Sequence, residues 1–286
     1  MDGLGSVRRT AKAIRDMLLR IGSEERERTP LWDGPAPGAV GADRSDIPTV
    51  SLYAPPEDKR SGETVVVLPG GGYTGHAEHE AAPVGRWLRS AGVVALIVRY
   101  RLAPRYKHPV MLQDAFRAIS VARAVAEEWG LRTDRIGILG FSAGGHLAGM
   151  TAVMEGREVA EVHDPPDFAV LIYPVTTLTG PYSNPGVRSA LTGDPRDTPE
   201  AARLSLGPQV TRSASPAFLV HGADDVVVPV ENTLMLAEAY RAAGRPVDVH
   251  IYATGPHGFG LGARGRPTGS WPRECLTWMR ALPDEP

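Results

Sequence analysis

The pentapeptide Gly140-Phe-Ser-Ala-Gly144 places a serine between two glycines. It follows the apolar run Ile136–Leu139 and precedes the small-residue segment Ala143–Met154, which favours a helix. A serine on such a sharp strand-to-helix turn projects its hydroxyl away from the sheet, and the glycines let strand and helix pass closely. Because a helix N-terminus directs N–H groups at developing negative charge, we predict Ser142 as a nucleophile and the Ala143 N–H as an oxyanion donor.

A second glycine run, Pro69-Gly-Gly-Gly-Tyr73, follows the apolar segment Thr64–Leu68 and so reaches the same edge of a parallel sheet as Ser142. Glycines keep backbone N–H groups unobstructed, which an oxyanion hole requires. A plain flexible turn or a phosphate cradle is the alternative, but no P-loop lysine follows and the G-x-G-x-x-G spacing is missing. We therefore predict Gly71 and Gly72 as oxyanion donors.

A general base and an acid that orients it should follow the serine in the order acid, then histidine. The run Ala217–Val220 leads into two adjacent carboxylates, Asp224 and Asp225. The run Val247–Tyr252 then leads into His257, on a loop bracketed by glycines. We predict His257 as the base and one of the two aspartates as its partner.

Other titratable residues have simpler interpretations. Three histidines lie in or beside predicted elements, where packing or local hydrogen bonding is expected: His146, His221 and His250. The stretch from His76 to Glu80 has H-x-x-H spacing, but it leads into a helix, where acidic residues complement the dipole. Cys275 lies in a helical segment without a nearby histidine and is expected to be a buried small hydrophobe. No metal and no cofactor is predicted.

Strand and helix patterns alternate along the chain, as a mostly parallel, doubly wound sheet with helices on both faces requires. The predicted strands are Thr49–Tyr53, Thr64–Leu68, Val93–Val98, Ile136–Leu139, Phe168–Tyr173, Ala217–Val220 and Val247–Tyr252. The predicted helices are Glu80–Ala91, Met111–Trp129, Ala143–Met154, Glu231–Ala243 and Pro272–Leu282. We predict one domain over residues 1–286.

Three segments lie outside this alternation. Residues 1–28 are predicted to contain a helix whose apolar stripe is buried against the pocket rim or a second subunit. Residues 29–48 are rich in proline and glycine and are predicted to form an extended arm. Residues 176–215 are predicted to form a lid or pocket wall with one short helix near Glu200–Leu206.

Composition excludes some classes of function. Lysine and arginine number 31 against 33 acidic residues, so no basic excess points to nucleic acid or an anionic membrane as partner. With one cysteine the chain has no internal disulfide, and no apolar run reaches signal-peptide or membrane-spanning length. These features predict a cytoplasmic protein.

Together the motifs resemble those of bacterial α/β-hydrolase esterases of the acetyl xylan esterase-like group. They comprise Pro69–Tyr73, His79-Glu80, Tyr100-Arg-Leu-Ala-Pro104, Pro109 with Asp114, Gly140–His146, His221–Asp225 and His257-Gly-Phe259. Related hormone-sensitive-lipase-like esterases usually carry His-Gly-Gly-Gly where this chain has Pro69, which favours the acetyl esterase branch. The resemblance implies an α/β-hydrolase fold and a carboxylic ester hydrolase, and Tyr73 is predicted to bind substrate.

The same resemblance selects Asp225, because the run Asp225-Val-Val-Val-Pro229 is similar to the acid-bearing loop of many α/β-hydrolases. Asp224 is then expected to be a turn residue. The predicted function is a serine esterase for short acyl groups, with acetylated sugars or small acetyl esters as substrates. An arylformamidase or amidase-like hydrolase is the alternative, and a non-catalytic binding module is less favoured because the triad is complete. The predicted partner is a small ester, and a homo-oligomer is left open.

Overall fold

The predicted strands pair into one sheet in a computed structural model that describes residues 3–21, 28–154 and 164–283. Within these residues the sheet has eight strands in the order β1-β2-β4-β3-β5-β6-β7-β8. The strands are β1 Thr29–Pro30, β2 Thr49–Tyr53, β3 Thr64–Leu68, β4 Val94–Arg99, β5 Ile136–Phe141, β6 Phe168–Ile172, β7 Ala217–Gly222 and β8 Val247–Tyr252. In sheet order from β4 to β8, all neighbouring strands are parallel. At the other edge the β1–β2 and β2–β4 pairs are antiparallel.

Helices cover both faces of the sheet. They are α1 Gly3–Ile21, α2 Ala82–Ser90, α3 Val110–Glu128, α4 Ser142–Val153, α5 Pro185–Thr192, α6 Pro199–Arg203, α7 Glu231–Ala242 and α8 Trp271–Ala281. Successive residues of β3 point to opposite faces, so Val66 packs in the core shared with α3 and α4, and Val67 in the core shared with α2 and α8. Burial on both faces explains why the central strands are continuous apolar runs. The predicted α/β-hydrolase architecture is confirmed.

Helix α1 packs on its own chain. Its residues Val7, Ala11 and Ile14 are buried in the core that contains α3. The guanidinium of Arg117 in α3 donates to the hydroxyl of Thr10 at 3.2 Å. The expectation that the apolar stripe is buried against the pocket rim or a second subunit is therefore wrong for Val7 and Ile14. Part of the predicted helix, residues 22–27, lies outside the described residues.

The segment from residue 29 to 48 follows an extended course over the body. Trp32 donates from Nε1 to Asp114 Oδ1 at 3.0 Å, and Arg101 forms a fully buried ion pair with the same carboxylate at 2.7 Å. Arg101 also donates to the Pro37 carbonyl at 2.7 Å. These contacts tie the segment to α3 and to the loop after β4.

Residues 176–215 contain two α-helices, α5 and α6, where the sequence predicted one. Helix α5 begins with Pro185 and Gly186, which are typical of a loop, but Asn184 caps it by accepting from the N–H groups of Gly186 and Val187. The leucines of this segment are buried in the core: Leu178, Leu191, Leu204 and Leu206. It is thus a packed part of the body, and its role as a wall of the substrate pocket stays a prediction.

Candidate active site

Ser142 occupies the turn between β5 and α4. Its φ of 53° lies in the left-handed region, which a non-glycine residue adopts only where the surroundings enforce it. A Cβ on Gly140 would lie 2.1 Å from the Gly144 carbonyl oxygen, and one on Gly144 would lie 2.2 Å from the Leu68 carbonyl oxygen. Both flanking glycines are thus required for the close approach of strand and helix that holds Ser142 in this conformation.

His257 and Asp225 complete a continuous hydrogen-bonded chain from the serine. Ser142 Oγ lies 2.8 Å from His257 Nε2, and His257 Nδ1 lies 2.7 Å from Asp225 Oδ2. With Nδ1 donating to the carboxylate, the neutral imidazole presents Nε2 as an acceptor for the serine proton. The structure therefore brings together the three residues predicted as nucleophile, base and acid.

The Asp225 carboxylate is held by more than the histidine. Its Oδ1 accepts from the backbone N–H groups of Val227 and Val228, each at 2.9 Å, and His221 Nε2 lies 3.4 Å from Oδ2. Burial acts to raise the pKa of Asp225, but the hydrogen bonds from His221, His257 and Val228 outweigh it and hold that pKa well below its usual range. Asp225 is therefore ionised at neutral pH.

Asp224 has a contact that the sequence did not indicate. Its Oδ1 accepts from the N–H of Gly255 at 2.6 Å, so it links the acid loop to the loop that carries His257. The same two loops touch through their backbones, since a Cβ on Gly222 would lie 1.9 Å from the Gly255 carbonyl oxygen. Asp224 thus caps a neighbouring loop rather than its own turn.

The glycine run after β3 exposes two donors. Other backbone groups of the run have partners: the Pro69 carbonyl accepts from Tyr100 Oη at 2.7 Å, and the Gly71 carbonyl accepts from Gly75 N at 3.1 Å. Within the described residues, the N–H groups of Gly71 and Gly72 donate to no protein acceptor. Gly71 has a φ of 127° and Gly72 has a φ of 64°. The value at Gly71 is one that only glycine adopts without strain. With the Ala143 N–H at the start of α4, these groups can receive an oxyanion.

Tyr73 is not placed to contact substrate through its side chain. It is fully buried, and its hydroxyl bonds to His146 Nδ1 at 2.8 Å. His146 Nε2 in turn lies 2.9 Å from the Leu204 carbonyl oxygen, and burial lowers the pKa of His146 to about 4. The predicted substrate-binding role of Tyr73 is corrected to a structural one: it ties the glycine run to α4.

Two residues beside the triad were not identified from the sequence as part of the site. Glu80 is only 2% exposed and accepts from the N–H of Gly70 at 2.7 Å and from Tyr173 Oη at 2.7 Å. The Tyr173 ring stands edge-on to the His257 ring, with centroids 5.0 Å apart. The sequence signal for Glu80 was the His79-Glu80 pair, which was interpreted as the start of a helix and counted among the esterase-like motifs without a role in the site.

No cluster of metal-ligating side chains is formed by the residues that the structure describes. None of their histidine, cysteine and acidic side chains assemble in groups of three or more that could hold a metal ion. Cys275 is buried, and burial raises its pKa. The helices of residues 3–21, 28–154 and 164–283 include none that is long and apolar enough to cross a membrane.

Comparison with known families agrees with this geometry. The α/β-hydrolase fold family matches residues 65–261, which run from β3 through the loop of His257. The chain belongs to this family. A solved structure of similar shape is the acetyl ester-xyloside bifunctional hydrolase from Caldicellulosiruptor lactoaceticus, with a TM-score of 0.80 and 36% identity. That alignment covers 91% of this α/β-hydrolase and 98% of the other chain.

Curated relatives of this α/β-hydrolase include an acetylxylan esterase from Xylanibacter ruminicola, 31% identical over 78% of this chain and 46% of the relative. They also include an endo-1,4-beta-xylanase B from Butyrivibrio fibrisolvens, 32% identical over 74% of this chain and 34% of the relative. The chain thus spans less than half the length of these two relatives.

Proposed function

We propose that this α/β-hydrolase is a serine carboxylic ester hydrolase that removes short acyl groups, with acetyl esters of sugars as its preferred substrates. The observation that carries the proposal is the 2.8 Å contact of Ser142 Oγ with His257 Nε2, next to the free N–H groups of Gly71 and Gly72. A nucleophile, its base and an oxyanion site in this arrangement are the requirements of acyl transfer.

The reaction follows from these positions. His257 Nε2 takes the proton of Ser142 as Oγ attacks the ester carbonyl, and Asp225 stabilises the imidazolium that forms. The tetrahedral oxyanion accepts hydrogen bonds from Gly71, Gly72 and Ala143, and its collapse expels the alcohol, which takes the proton from His257. Water, deprotonated by the same imidazole, then releases the carboxylic acid and restores the serine.

The acyl and alcohol specificity rests on two observations. The leucines of residues 176–215 are buried in the core and so are not available to line a long acyl tunnel, which favours short acyl groups. The similar Caldicellulosiruptor protein is named an acetyl ester-xyloside bifunctional hydrolase and the Xylanibacter relative an acetylxylan esterase, which favours an acetylated sugar as the substrate. We also propose that the binding partner is a small ester. Because the single cysteine is free and buried, we propose that the protein works in a reducing compartment such as the cytoplasm.

A substrate panel tests the proposal. We expect hydrolysis of p-nitrophenyl acetate and butyrate with kcat/KM at least tenfold above that for the palmitate ester, and release of acetate from acetylated xylo-oligosaccharides. Faster turnover of N-formyl arylamines than of aryl acetates would replace the proposal by an arylformamidase. No turnover, with no labelling of Ser142 by a fluorophosphonate probe, would make the protein a binding module.

A further inference from the structure

The buried carboxylate of Glu80 lies where the glycine run and the histidine loop meet. It accepts from Gly70 N–H through Oε2 and from Tyr173 Oη–H through Oε1, both at 2.7 Å. Gly70 immediately precedes two of the three oxyanion donors, Gly71 and Gly72, and a Cβ there would lie 2.8 Å from Glu80 Oε2 and 3.0 Å from Ser142 Cβ. The carboxylate therefore packs directly against the turn that sets the direction of Gly71 and Gly72.

Tyr173 connects Glu80 to the catalytic histidine, His257. Its hydroxyl, which donates to Glu80, accepts from the N–H of Gly260 at 2.9 Å, and its ring contacts His257. The residue before Glu80 holds the same loop, since His79 Nε2 lies 3.0 Å from the Gly258 carbonyl oxygen. The His79-Glu80 turn is thus linked to the His257 loop at two residues that follow His257. His79 contacts Gly258 directly, and Glu80 is linked to Gly260 through Tyr173.

Backbone strain is concentrated around this network. Among the described residues, three non-glycine residues have positive φ: Tyr73 at 62°, Ser142 at 53° and Tyr173 at 38°. Tyr73 ends the glycine run, Ser142 is the nucleophile and Tyr173 bonds to Glu80. Such conformations persist where surrounding contacts over-determine them, and they cluster where geometry serves function.

We propose that Glu80 is a positioning residue that fixes the oxyanion site relative to the catalytic histidine, acting through Gly70 on one side and Tyr173 on the other. The inference rests on the proposed esterase function and adds a residue outside the triad. A carboxylate is needed because two donors converge on it, whereas an amide can accept only through its single oxygen. In Glu80→Gln, the amide oxygen can keep the Gly70 bond, but the amide NH₂ then faces the Tyr173 hydroxyl and leaves its proton without an acceptor.

The test compares Glu80→Gln and Tyr173→Phe with a matched control, Glu78→Gln, which lies in the same short turn but is exposed and pairs with Arg99. We expect Glu80→Gln to lower kcat on p-nitrophenyl acetate by about 10- to 100-fold, less than the loss of a whole oxyanion donor. KM should stay within about threefold, because the ground-state ester does not yet carry the oxyanion. Tyr173→Phe, which keeps the Gly70 bond, should lose about 3- to 10-fold, and Glu78→Gln should match wild type.

Binding of phenylboronic acid separates positioning from a general loss of structure. Its tetrahedral adduct with Ser142 places an oxygen at the oxyanion site, so its inhibition constant should rise by the same factor as kcat falls. A kcat for Glu80→Gln within threefold of wild type would overturn the inference, as would a lower kcat with unchanged boronate affinity. If Glu80→Gln does not fold, Tyr173→Phe decides: parallel losses support the inference and wild-type values overturn it.

The wild-type controls distinguish this failure from failure of the proposed function. An active wild type that reacts with a fluorophosphonate at Ser142, together with an unimpaired Glu80→Gln, removes the positioning role alone. A wild type that neither hydrolyses esters nor reacts with the probe removes the esterase proposal and this inference together.

Discussion

Replacement of Asp225 by asparagine should abolish general-base catalysis while the fold remains. The two backbone N–H groups of Val227 and Val228 donate to Asp225 Oδ1, so an asparagine will place its carbonyl oxygen there. Its NH₂ group then takes the place of Oδ2 and faces His257 Nδ1, 2.7 Å away in the native chain. Two donors cannot face each other at that distance, so the imidazole must carry its proton on Nε2 instead.

That tautomer removes the acceptor for the Ser142 proton. The corresponding change in a serine protease triad lowers kcat by about 10⁴, equivalent to about 5 kcal/mol at 1.36 kcal/mol per tenfold. We expect a loss of this size for Asp225→Asn. For Asp224→Asn we expect at most about a tenfold loss, because the asparagine oxygen can still accept from Gly255 N–H and a perturbed hydrogen bond costs about 1 kcal/mol.

The assay is steady-state hydrolysis of one aryl acetate by both variants, with circular dichroism and thermal unfolding to show that each is folded. A loss below tenfold for Asp225→Asn would refute the argument that the two backbone amides orient the side chain. A larger loss at Asp224 than at Asp225 would show that the acid is the other carboxylate.

Three further predictions address the nucleophile, a buried histidine and the first helix. Ser142→Ala should lower kcat on aryl acetates by about 10⁴- to 10⁶-fold with an unchanged circular dichroism spectrum, and wild-type rates would exclude Ser142 as the nucleophile. Because the pKa of His146 is lowered to about 4, the unfolded chain binds a proton first as pH falls below about 6.5; stability from the neutral imidazole should drop by about 2 kcal/mol between pH 7 and pH 5 in urea titrations. Between pH 7 and pH 5 the free energy of unfolding of His146→Gln should fall by about 2 kcal/mol less than that of wild type. An equal fall in both proteins would contradict the assignment. Deletion of residues 1–28 should lower the urea midpoint, since burial of Val7 and Ile14 stabilises by about 1.5–3 kcal/mol each, and an unchanged midpoint would show that α1 is dispensable.

The order and placement of the triad could be predicted because each member lies directly after a strand. Parallel strands end at one sheet edge, so the local sequence around Ser142, Asp225 and His257 determines which side chains meet. The bounds of β2, β3 and β8 were predicted correctly because each strand is an apolar run flanked by polar turn residues, which fix where the strand begins and ends.

Features that depend on contacts between distant segments could not be predicted. Glu80 bonds to Gly70 and to Tyr173, which lies 93 residues away, and its local pattern indicates only the start of a helix. Tyr73 was predicted to bind substrate, yet its hydroxyl bonds to His146 from another element. Helix α5 was missed because its first residues, Pro185 and Gly186, are typical of loops unless the cap from Asn184 is known.

The backbone contact between Gly222 and Gly255 also bears on how the protein responds to heat. Gly222 ends β7 and is paired with Tyr252 of β8, so the loops of Asp225 and His257 are joined at the roots of two adjacent strands. A Cβ on Gly222 would lie 1.9 Å from the Gly255 carbonyl oxygen, so no side chain fits between the two backbones at this point. The spacing of acid and base is therefore fixed by the sheet, and thermal loss of activity should coincide with melting of the β7–β8 pair rather than precede it.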